Sequence, residues 1–261
     1  MGLEKKEIVI NDDFPEPNIE GALESPRDIY IAMVLDSSGS MMELTNQVIE
    51  SVNSFIANQA AVPAETIVTL CDFNSVVNFP FQNVNIKDID TLTRENYRPS
   101  GSTALYDAIM QTKDVVENYL NSSPGLDVIF VIITDGEENA SHMNNRQNVF
   151  DMIREKTEQG WVFTYLSADA DAFQTAASLG VASANTVQWA LTTTAFNAGT
   201  DASNLATTSW RYSNSDASSY SLSSAAVTVM ASSNLDPGAL KVSPDNTTAT
   251  VKPPKKKSKT V

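Results

Sequence analysis

The sequence predicts an α/β fold in which a doubly wound, mostly parallel central sheet carries helices on both faces. Three observations favour it. Apolar runs of strand length alternate with segments of helical apolar spacing. The longest runs, Ile29–Asp36 and Asp127–Thr134, are apolar at nearly every position, as is typical of strands buried on both faces. The composition, 42 % hydrophobic and 19 % charged, is sufficient for a core.

The first half of the chain predicts strands and helices in alternation. After the first apolar run, residues of one apolar stripe predict a helix over Glu43–Gln59. Thr66–Phe73 is the next predicted strand, and Ser75–Phe81 follows it after a short turn. So short a connection indicates a hairpin, so we expect Ser75–Phe81 to be the one antiparallel edge strand of the sheet. A second amphipathic helix begins near Leu105.

The second half continues the alternation with shorter elements. After Asp127–Thr134 we expect a helix, a strand, a short helix, a weak strand and a last helix of low apolar content. Their predicted ranges are Gln147–Gln159, Trp161–Leu166, Ala170–Leu179, Thr186–Trp189 and Thr194–Trp210. One later stretch, Ala225–Met230, is apolar enough for a strand or a partner-binding segment.

Shifts in composition divide the chain into three parts. Residues 1–27 are polar and acidic and contain three prolines, which predicts an N-terminal extension. Residues 28–212 hold the predicted domain. Residues 213–261 are Ser-rich and then Pro- and Lys-rich, so we expect a flexible C-terminal extension, with its lysine run a solvated tail.

The charge and the single cysteine exclude several classes of protein. The net charge is −15, and five of the seventeen Lys and Arg residues lie in residues 252–261. The main body is therefore strongly acidic, which argues against a nucleic-acid-binding surface on it. Cys71 alone excludes an intramolecular disulfide framework and a Cys-rich zinc site. With neither a membrane-spanning run nor a signal peptide in view, we expect a cytoplasmic protein, or part of an assembly built in the cytoplasm, such as a virion.

Oxygen-bearing side chains follow the predicted strands where each one ends. Asp36, Ser38 and Ser40 come at the end of the first strand, and Asp135 follows Asp127–Thr134. Thr103 stands at the start of the second helix. In open parallel sheets the functional groups collect at the carboxyl ends of the strands. Carboxylate and hydroxyl oxygens suit hard divalent cations, with Mg²⁺ the first expectation and Mn²⁺ or Ca²⁺ the alternatives.

Three motifs together resemble the von Willebrand factor A domain family. They are VLDSSGSM at 34–41, GSTALYDAI at 101–109 and VIITDGEEN at 131–139, in the family's order. The style is similar to compact cytoplasmic bacterial or phage-encoded members. The resemblance implies a metal-ion-dependent adhesion site in which Ser38, Ser40 and Thr103 contact the metal directly. Asp36 and Asp135 would act directly or through water, and an Asp or Glu from a partner protein would complete the shell.

The function that follows from this resemblance is a non-enzymatic, metal-dependent protein-interaction module. Three alternatives stay open. In the first, the five residues only cap helices and bind no metal. The domain, taken as a scaffold, would be a structural or assembly component, for example of a phage virion. A Mg²⁺-dependent phosphatase would use Asp36 as nucleophile, but Ser38 stands where such enzymes have a second Asp. A Ser–His–Asp triad would have to use His142, the only histidine, which we expect at the surface.

Overall fold

The computed structural model describes residues 25–233, 235–236 and 238–243, which form a seven-stranded sheet with helices on both faces. The strands are β1 (Ile29–Asp36), β2 (Thr66–Phe73), β3 (Val77–Asn85), β4 (Asp127–Thr134), β5 (Val162–Ser167), β6 (Thr186–Trp189) and β7 (Leu240–Val242). The helices are α1 (Thr45–Ala60), α2 (Leu105–Ser122), α3 (Arg146–Glu158), α4 (Ala172–Ser178), α5 (Thr193–Tyr212) and α6 (Leu222–Ser232). The predicted α/β class is therefore confirmed.

The strand order β3-β2-β1-β4-β5-β6-β7 places β1 at the centre. Strand β1 pairs in parallel with β2 on one side and β4 on the other, and the parallel pairing continues through β5 to β6. In this register Asp36 lies opposite Phe73, and Leu35 lies opposite Ile133. The chain order reverses at β1, so the loops after β1 and β4 leave the same edge of the sheet on opposite faces.

Alternate residues of the central strands supply two separate cores. Ile29, Ile31, Met33 and Leu35 of β1 face one core, which α1, α5 and α6 cover. The residues between them, such as Val34, face a second core under α2, α3 and α4. Both faces of β1 are thus apolar and covered, which is why its sequence is a continuous apolar run instead of an alternating one.

The sequence analysis predicted one antiparallel edge strand, and the structure has two. Strand β3 is the predicted one, paired with β2. At the other edge β7 pairs antiparallel with β6. A strand of three residues is too short for a periodicity of two to become visible in a sequence, so the pattern could not reveal it.

The stretch Ala225–Met230, for which the sequence suggests a strand or a partner-binding segment, lies in helix α6. Ser221 caps the helix, because its side chain accepts a hydrogen bond from the backbone of Ser224. The buried side chains Leu222, Ala225, Ala226 and Val229 follow the helical spacing. They pack in the same core as α5, so residues 222–232 lie on the sheet, within the region that the sequence analysis assigned to a flexible extension.

The remaining expectations about the extensions concern residues that the structure does not describe. Residues 1–24 hold most of the predicted N-terminal extension, and residues 244–261 hold the lysine run; both lie outside the described residues. No helix in the described part of the chain is long and apolar enough to cross a membrane.

Candidate metal site

Four of the five predicted ligands meet in one hydrogen-bonded cluster at the carboxyl ends of β1 and β4. The backbone N–H of Ser38 donates to Asp36 Oδ1 over 2.7 Å. The Ser38 and Ser40 hydroxyl oxygens lie 3.0 Å apart. The Ser40 hydroxyl in turn donates to Asp135 Oδ1 over 2.8 Å, although Asp135 lies 95 residues further along the chain. Adjacent parallel strands bring the two motifs together, as the sequence pattern predicted.

Thr103 reaches the same edge through its backbone. Gly39 donates to the carbonyl oxygen of Gly101 over 3.1 Å, which joins the 101–103 loop to the turn after β1. The Thr103 N–H donates to Asn139 Oδ1 over 2.9 Å, and the Thr103 carbonyl accepts from Asn139 over 3.0 Å. Thr103 is buried, and none of the hydrogen bonds among the five predicted ligands uses its hydroxyl.

Gly101 permits this close approach of the two loops. Its backbone has φ of +71°, a conformation that residues other than glycine rarely adopt. A Cβ atom at this position would lie 2.9 Å from the hydroxyl oxygen of Ser75. That hydroxyl already accepts a hydrogen bond from the backbone of Ser102. Glycine is therefore required here for both conformation and space.

Burial makes the two carboxylates of the cluster costly to ionise. Asp36 is fully buried, and this desolvation raises its pKa from 3.8 to about 6 despite hydrogen bonds from Thr134 and Ser38. The nearby charge of Asp135 adds to the rise. Burial likewise raises the pKa of Asp135, against the hydrogen bond that it accepts from Ser40. The site therefore concentrates negative charge that lacks compensation.

Two buried residues that the sequence analysis did not single out hold Asp36 in place. The Thr134 hydroxyl donates to Asp36 Oδ2 over 2.6 Å, and the Tyr97 hydroxyl donates to the Asp36 carbonyl oxygen over 2.7 Å. Thr134 sits at the end of β4, one residue before Asp135, so its position was visible in the motif. Tyr97 lies in the irregular segment between β3 and α2, where no periodic pattern marks it.

The loop after β4 is clamped to the start of α2 by two further carboxylates. Asp107 accepts hydrogen bonds from the backbone N–H groups of His142, Met143 and Asn144. Glu138 accepts from the backbone of Tyr106 over 2.9 Å and also from its own loop. Both residues lie inside motifs quoted above, but their role depends on a contact between distant segments.

Other residues considered from the sequence have ordinary positions. His142 and Glu137 are exposed, and the hydrogen bond of His142 to Asp107 comes from its backbone. Cys71 is a free, fully buried thiol whose pKa burial raises to about 12. Asp72, next in β2, accepts a hydrogen bond from the Ser37 hydroxyl over 3.0 Å. The Ser37 hydroxyl thus contacts Asp72 and takes no part in the hydrogen bonds of the cluster.

The donor set fits a hard divalent cation. Within the described residues no three His, Cys, Asp or Glu side chains are grouped to hold a metal, so any metal here has to use hydroxyl oxygens as well. In a Mg²⁺ octahedron with bonds of about 2.0–2.1 Å, neighbouring ligand oxygens lie about 2.9 Å apart. The 3.0 Å between Ser38 and Ser40 and the 2.8 Å between Ser40 and Asp135 are hydrogen-bond lengths close to that edge, so these oxygens need little movement to become neighbours around a cation.

Comparisons with known proteins agree with this fold. A structure of proximal thread matrix protein 1 from the mussel byssus matches with a TM-score of 0.53 and 13% identity, covering 71% of this chain and 49% of that chain. A von Willebrand factor type A protein from Catenulispora acidiphila matches at 0.47, with 12% identity and coverage of 70% and 43%. Manganese-loaded TRAP protein from Plasmodium vivax matches at 0.40, with 14% identity and coverage of 54% and 57%.

The chain thus spans roughly half the length of each of these proteins. At 13% identity the match to proximal thread matrix protein 1 is a likeness of fold alone. No curated protein matches the sequence. The family profile of the von Willebrand factor type A domain matches residues 30–204, which include all five predicted ligands and strands β1 to β6 almost in full. The chain therefore belongs to the von Willebrand factor type A domain family.

Proposed function

We propose that this protein is a non-enzymatic interaction module that binds a partner protein through a divalent cation, with Mg²⁺ the preferred ion. Asp36, Ser38, Ser40, Thr103 and Asp135 would hold the ion, directly or through water. When bound, the cation supplies an electrophilic docking point for an Asp or Glu carboxylate of the partner. Domains of this family generally mediate protein–protein interactions, which supports the proposal.

The observation that carries the proposal is the hydrogen-bonded cluster of Asp36, Ser38, Ser40 and Asp135, which joins two strand ends at one edge of the sheet. In it the Ser38 N–H donates to Asp36, and the hydroxyl oxygens of Ser38 and Ser40 continue the cluster to the Asp135 carboxylate. Among the described residues no ion pair involves Asp36 or Asp135. A cation would therefore supply the charge compensation that the protein itself does not.

The choice of ligands favours binding of an external acid. Only two of the five residues are carboxylates, so a divalent cation would be less neutralised than in a site made of carboxylates alone and would accept a further carboxylate from outside. The chain's own residues orient the site: Thr134 and Tyr97 fix Asp36, and the clamped 138–144 loop fixes the neighbourhood of Thr103.

A binding role is favoured over catalysis by what surrounds the site. Ser38 occupies the position two residues after Asp36, where a phosphatase of the haloacid dehalogenase type has its second Asp. The only histidine of the chain, His142, is exposed in the loop after β4. A nucleophile would need a neighbouring base or acid, and neither residue provides one to Asp36.

Calorimetric titration of Mg²⁺ and Mn²⁺ into the full chain tests the metal site. We expect binding by the wild type, and a loss of at least tenfold in affinity for Ser40→Ala and Asp36→Asn. Ser37→Ala is the matched control, because Ser37 lies in the same turn but contacts Asp72. Equal affinity in Ser40→Ala and wild type, or no binding by any form, would refute the site.

Capture from native lysate tests the partner contact. Immobilised wild type and Thr103→Ala, which loses a ligand without a change of charge, are compared with Mg²⁺ and with EDTA. We expect a protein to be retained by the wild type in Mg²⁺ alone. Retention that is indifferent to EDTA and to the substitution would assign the interaction to other surfaces of the chain.

A further inference from the structure

Exposed apolar side chains are concentrated around the candidate metal site. Five large hydrophobic side chains in the described residues are strongly exposed. Four of them lie just after the carboxyl end of a parallel strand: Met42 after β1, Val76 after β2, Met143 after β4 and Leu191 after β6. Only Val227 lies elsewhere, on α6. Single exposed hydrophobic residues are common, but exposed apolar side chains that share one edge of a sheet can form a contact surface for a partner.

Three of these side chains lie in loops that follow the strands β1, β2 and β4, at the edge of the sheet that carries the metal cluster. Strands β2, β1 and β4 are neighbours, so the loops that carry Val76, Met42 and Met143 emerge within about 10 Å of one another. Met42 follows Ser40 by two residues. Val76 follows Ser75, whose hydroxyl accepts from Ser102, the neighbour of Thr103. We call Met42, Val76 and Met143 the apolar triad.

The backbone under the triad is held by hydrogen bonds. The Met143 N–H donates to Asp107, and both neighbouring N–H groups do the same. The Val76 N–H donates to the Asn74 side chain over 2.9 Å, in a tight turn. Loops fixed in this way present apolar side chains to a partner at little cost in backbone entropy. The exposed fractions are 61% for Met42, 60% for Val76 and 70% for Met143, so the described part of the chain leaves these side chains uncovered.

The charge around the triad is acidic. The rim loops, which we define as residues 37–44, 74–76, 135–145, 168–171 and 190–192, follow the parallel strands. They contain no lysine or arginine but six carboxylates: Glu43, Asp135, Glu137, Glu138, Asp169 and Asp171. Two arginines stand beside them: Arg146 begins α3, and Arg94 donates to Asn46 at the start of α1. A complementary surface would carry basic residues opposite these loops, in addition to the single acid that the metal requires.

These features specify the partner beyond its carboxylate. We propose that the partner binds at the proposed metal site, on which this inference rests, through a segment in which the metal-binding Asp or Glu is flanked by apolar side chains. Those side chains contact the apolar triad, and lysine or arginine residues beyond them face the acidic rim loops. The metal then requires an Asp or Glu in every partner, and contacts with the apolar triad determine which acidic segments bind.

Peptide display on the immobilised full chain tests this proposal. One library carries a fixed central Asp with random residues on both sides, and a second carries a fixed Asn. Peptides are bound in Mg²⁺ and eluted with EDTA. The baits are the wild type, the triple variant Met42→Ser, Val76→Ser, Met143→Ser, and the control Val227→Ser.

We expect EDTA-eluted peptides from the Asp library alone, with apolar residues enriched beside the Asp and basic residues further out. The triple variant should lose the apolar preference, and a synthetic selected peptide should bind it about tenfold more weakly than the wild type. Its affinity for Mg²⁺ and the behaviour of Val227→Ser should be unchanged.

Two results would overturn the proposal and are distinguishable. Selected Asp peptides without apolar flanks, or the same flanks from the triple variant, would refute the role of the triad and leave the metal-dependent function standing. Elution from both libraries alike, or from neither, together with no Mg²⁺ binding in calorimetry, would refute the metal-dependent function and the triad's role with it.

Discussion

Two buried carboxylates, Asp36 and Asp107, differ in the balance between desolvation and hydrogen bonding. Burial dominates at Asp36 and raises its pKa to about 6. At Asp107 burial acts in the same direction, but hydrogen bonds from His142, Asn144 and Met143 outweigh it and hold the pKa below its usual value. Both carboxylates are therefore ionised at neutral pH, but the charge on Asp36 lowers the stability of the folded chain, whereas the charge on Asp107 raises it.

Replacing Asp36 should stabilise the metal-free protein at neutral pH. Between pH 4 and 6 the folded wild type binds the Asp36 proton more tightly than the unfolded chain, so its stability from this group falls as pH rises. We expect Asp36→Asn to exceed the wild type by about 1–2 kcal/mol at pH 7.5 in EDTA, and to lose that advantage at pH 4. Urea unfolding at both pH values measures it.

Mg²⁺ should offset this advantage, because at a hundredfold excess over the wild-type Kd the ion stabilises the wild type by about 2.7 kcal/mol and a variant that binds tenfold more weakly by only about 1.4 kcal/mol. A wild type that Mg²⁺ leaves unchanged in stability would contradict the assignment of Asp36 to the metal.

Replacing Asp107 should loosen the loop after β4 and weaken the metal site indirectly. Asp107→Asn removes one of the two oxygens that accept the three backbone N–H groups of residues 142–144. We expect Mg²⁺ affinity to fall about 10-fold or more, as for other residues that support metal ligands. Calorimetry measures it, with Asp114→Asn on the exposed side of the same helix as control. Equal losses in both variants would point to overall charge instead of the clamp.

Helices α5 and α6 show how an element with a weak sequence signal is fixed by its neighbours. Helix α5 contains many small and polar residues, yet Ala198, Ala202 and Leu205 lie buried against the sheet. Small side chains allow close packing of α5 on β6 and α6, so burial in this region does not need large apolar residues. Helix α6 then covers the apolar surface that remains, including part of Trp210 and Tyr220.

Replacing Gly199 and Gly180 by alanine tests the space around two glycines. A Cβ at Gly199 in α5 would meet Leu166 at 3.5 Å, an ordinary contact, so Gly199→Ala should stabilise the protein by about 0.5–1 kcal/mol through helix propensity. Gly180 has φ of +90° and a neighbour at 3.4 Å, so Gly180→Ala should destabilise it by at least 1 kcal/mol. Thermal unfolding of both variants measures the pair. The opposite order would show that the packing of α5 differs.

The described chain folds as one unit that extends to residue 243. The core under α1 includes Leu222, Ala226 and Val229 from α6 and Leu240 from β7. At the end of α5, the buried Arg211 guanidinium donates to the Gln59 side chain and to the Thr66 hydroxyl. Its Nε donates to the carbonyl of Arg27, near the start of the described residues. Burial lowers the pKa of Arg211 to about 10, so it remains charged at neutral pH.

Truncation tests this boundary. A chain that ends after residue 243 should unfold like the full chain. One that ends after residue 212 exposes the apolar surface under α6 and loses β7. Several buried side chains, each worth about 1.5–3 kcal/mol, are then lost, against a typical total of 5–15 kcal/mol. We expect that chain to melt far lower or to aggregate. Equal melting temperatures for the two would support the domain end at residue 212 that the sequence predicts.

Local pattern determined most of the fold and the make-up of the candidate site. The predicted bounds of β1, β2, β4 and β6 coincide with those of the structure, because continuous apolar runs of strand length have few other solutions. Asp36, Ser38, Ser40, Thr103 and Asp135 stand at strand ends or a helix start, so their common edge followed from the predicted topology alone. The metal that they hold stays a prediction.

Tertiary structure alone decided what depends on contacts between distant segments. The second antiparallel edge strand is too short for a periodic signal, and α6 shows its buried face only against α5. The support of Asp36 by Tyr97, and of the 142–144 loop by Asp107, joins residues 35 or more positions apart. The apolar triad also became visible only when the fold placed three loops side by side. A sequence pattern records spacing along the chain, whereas burial and hydrogen bonding depend on distance in space.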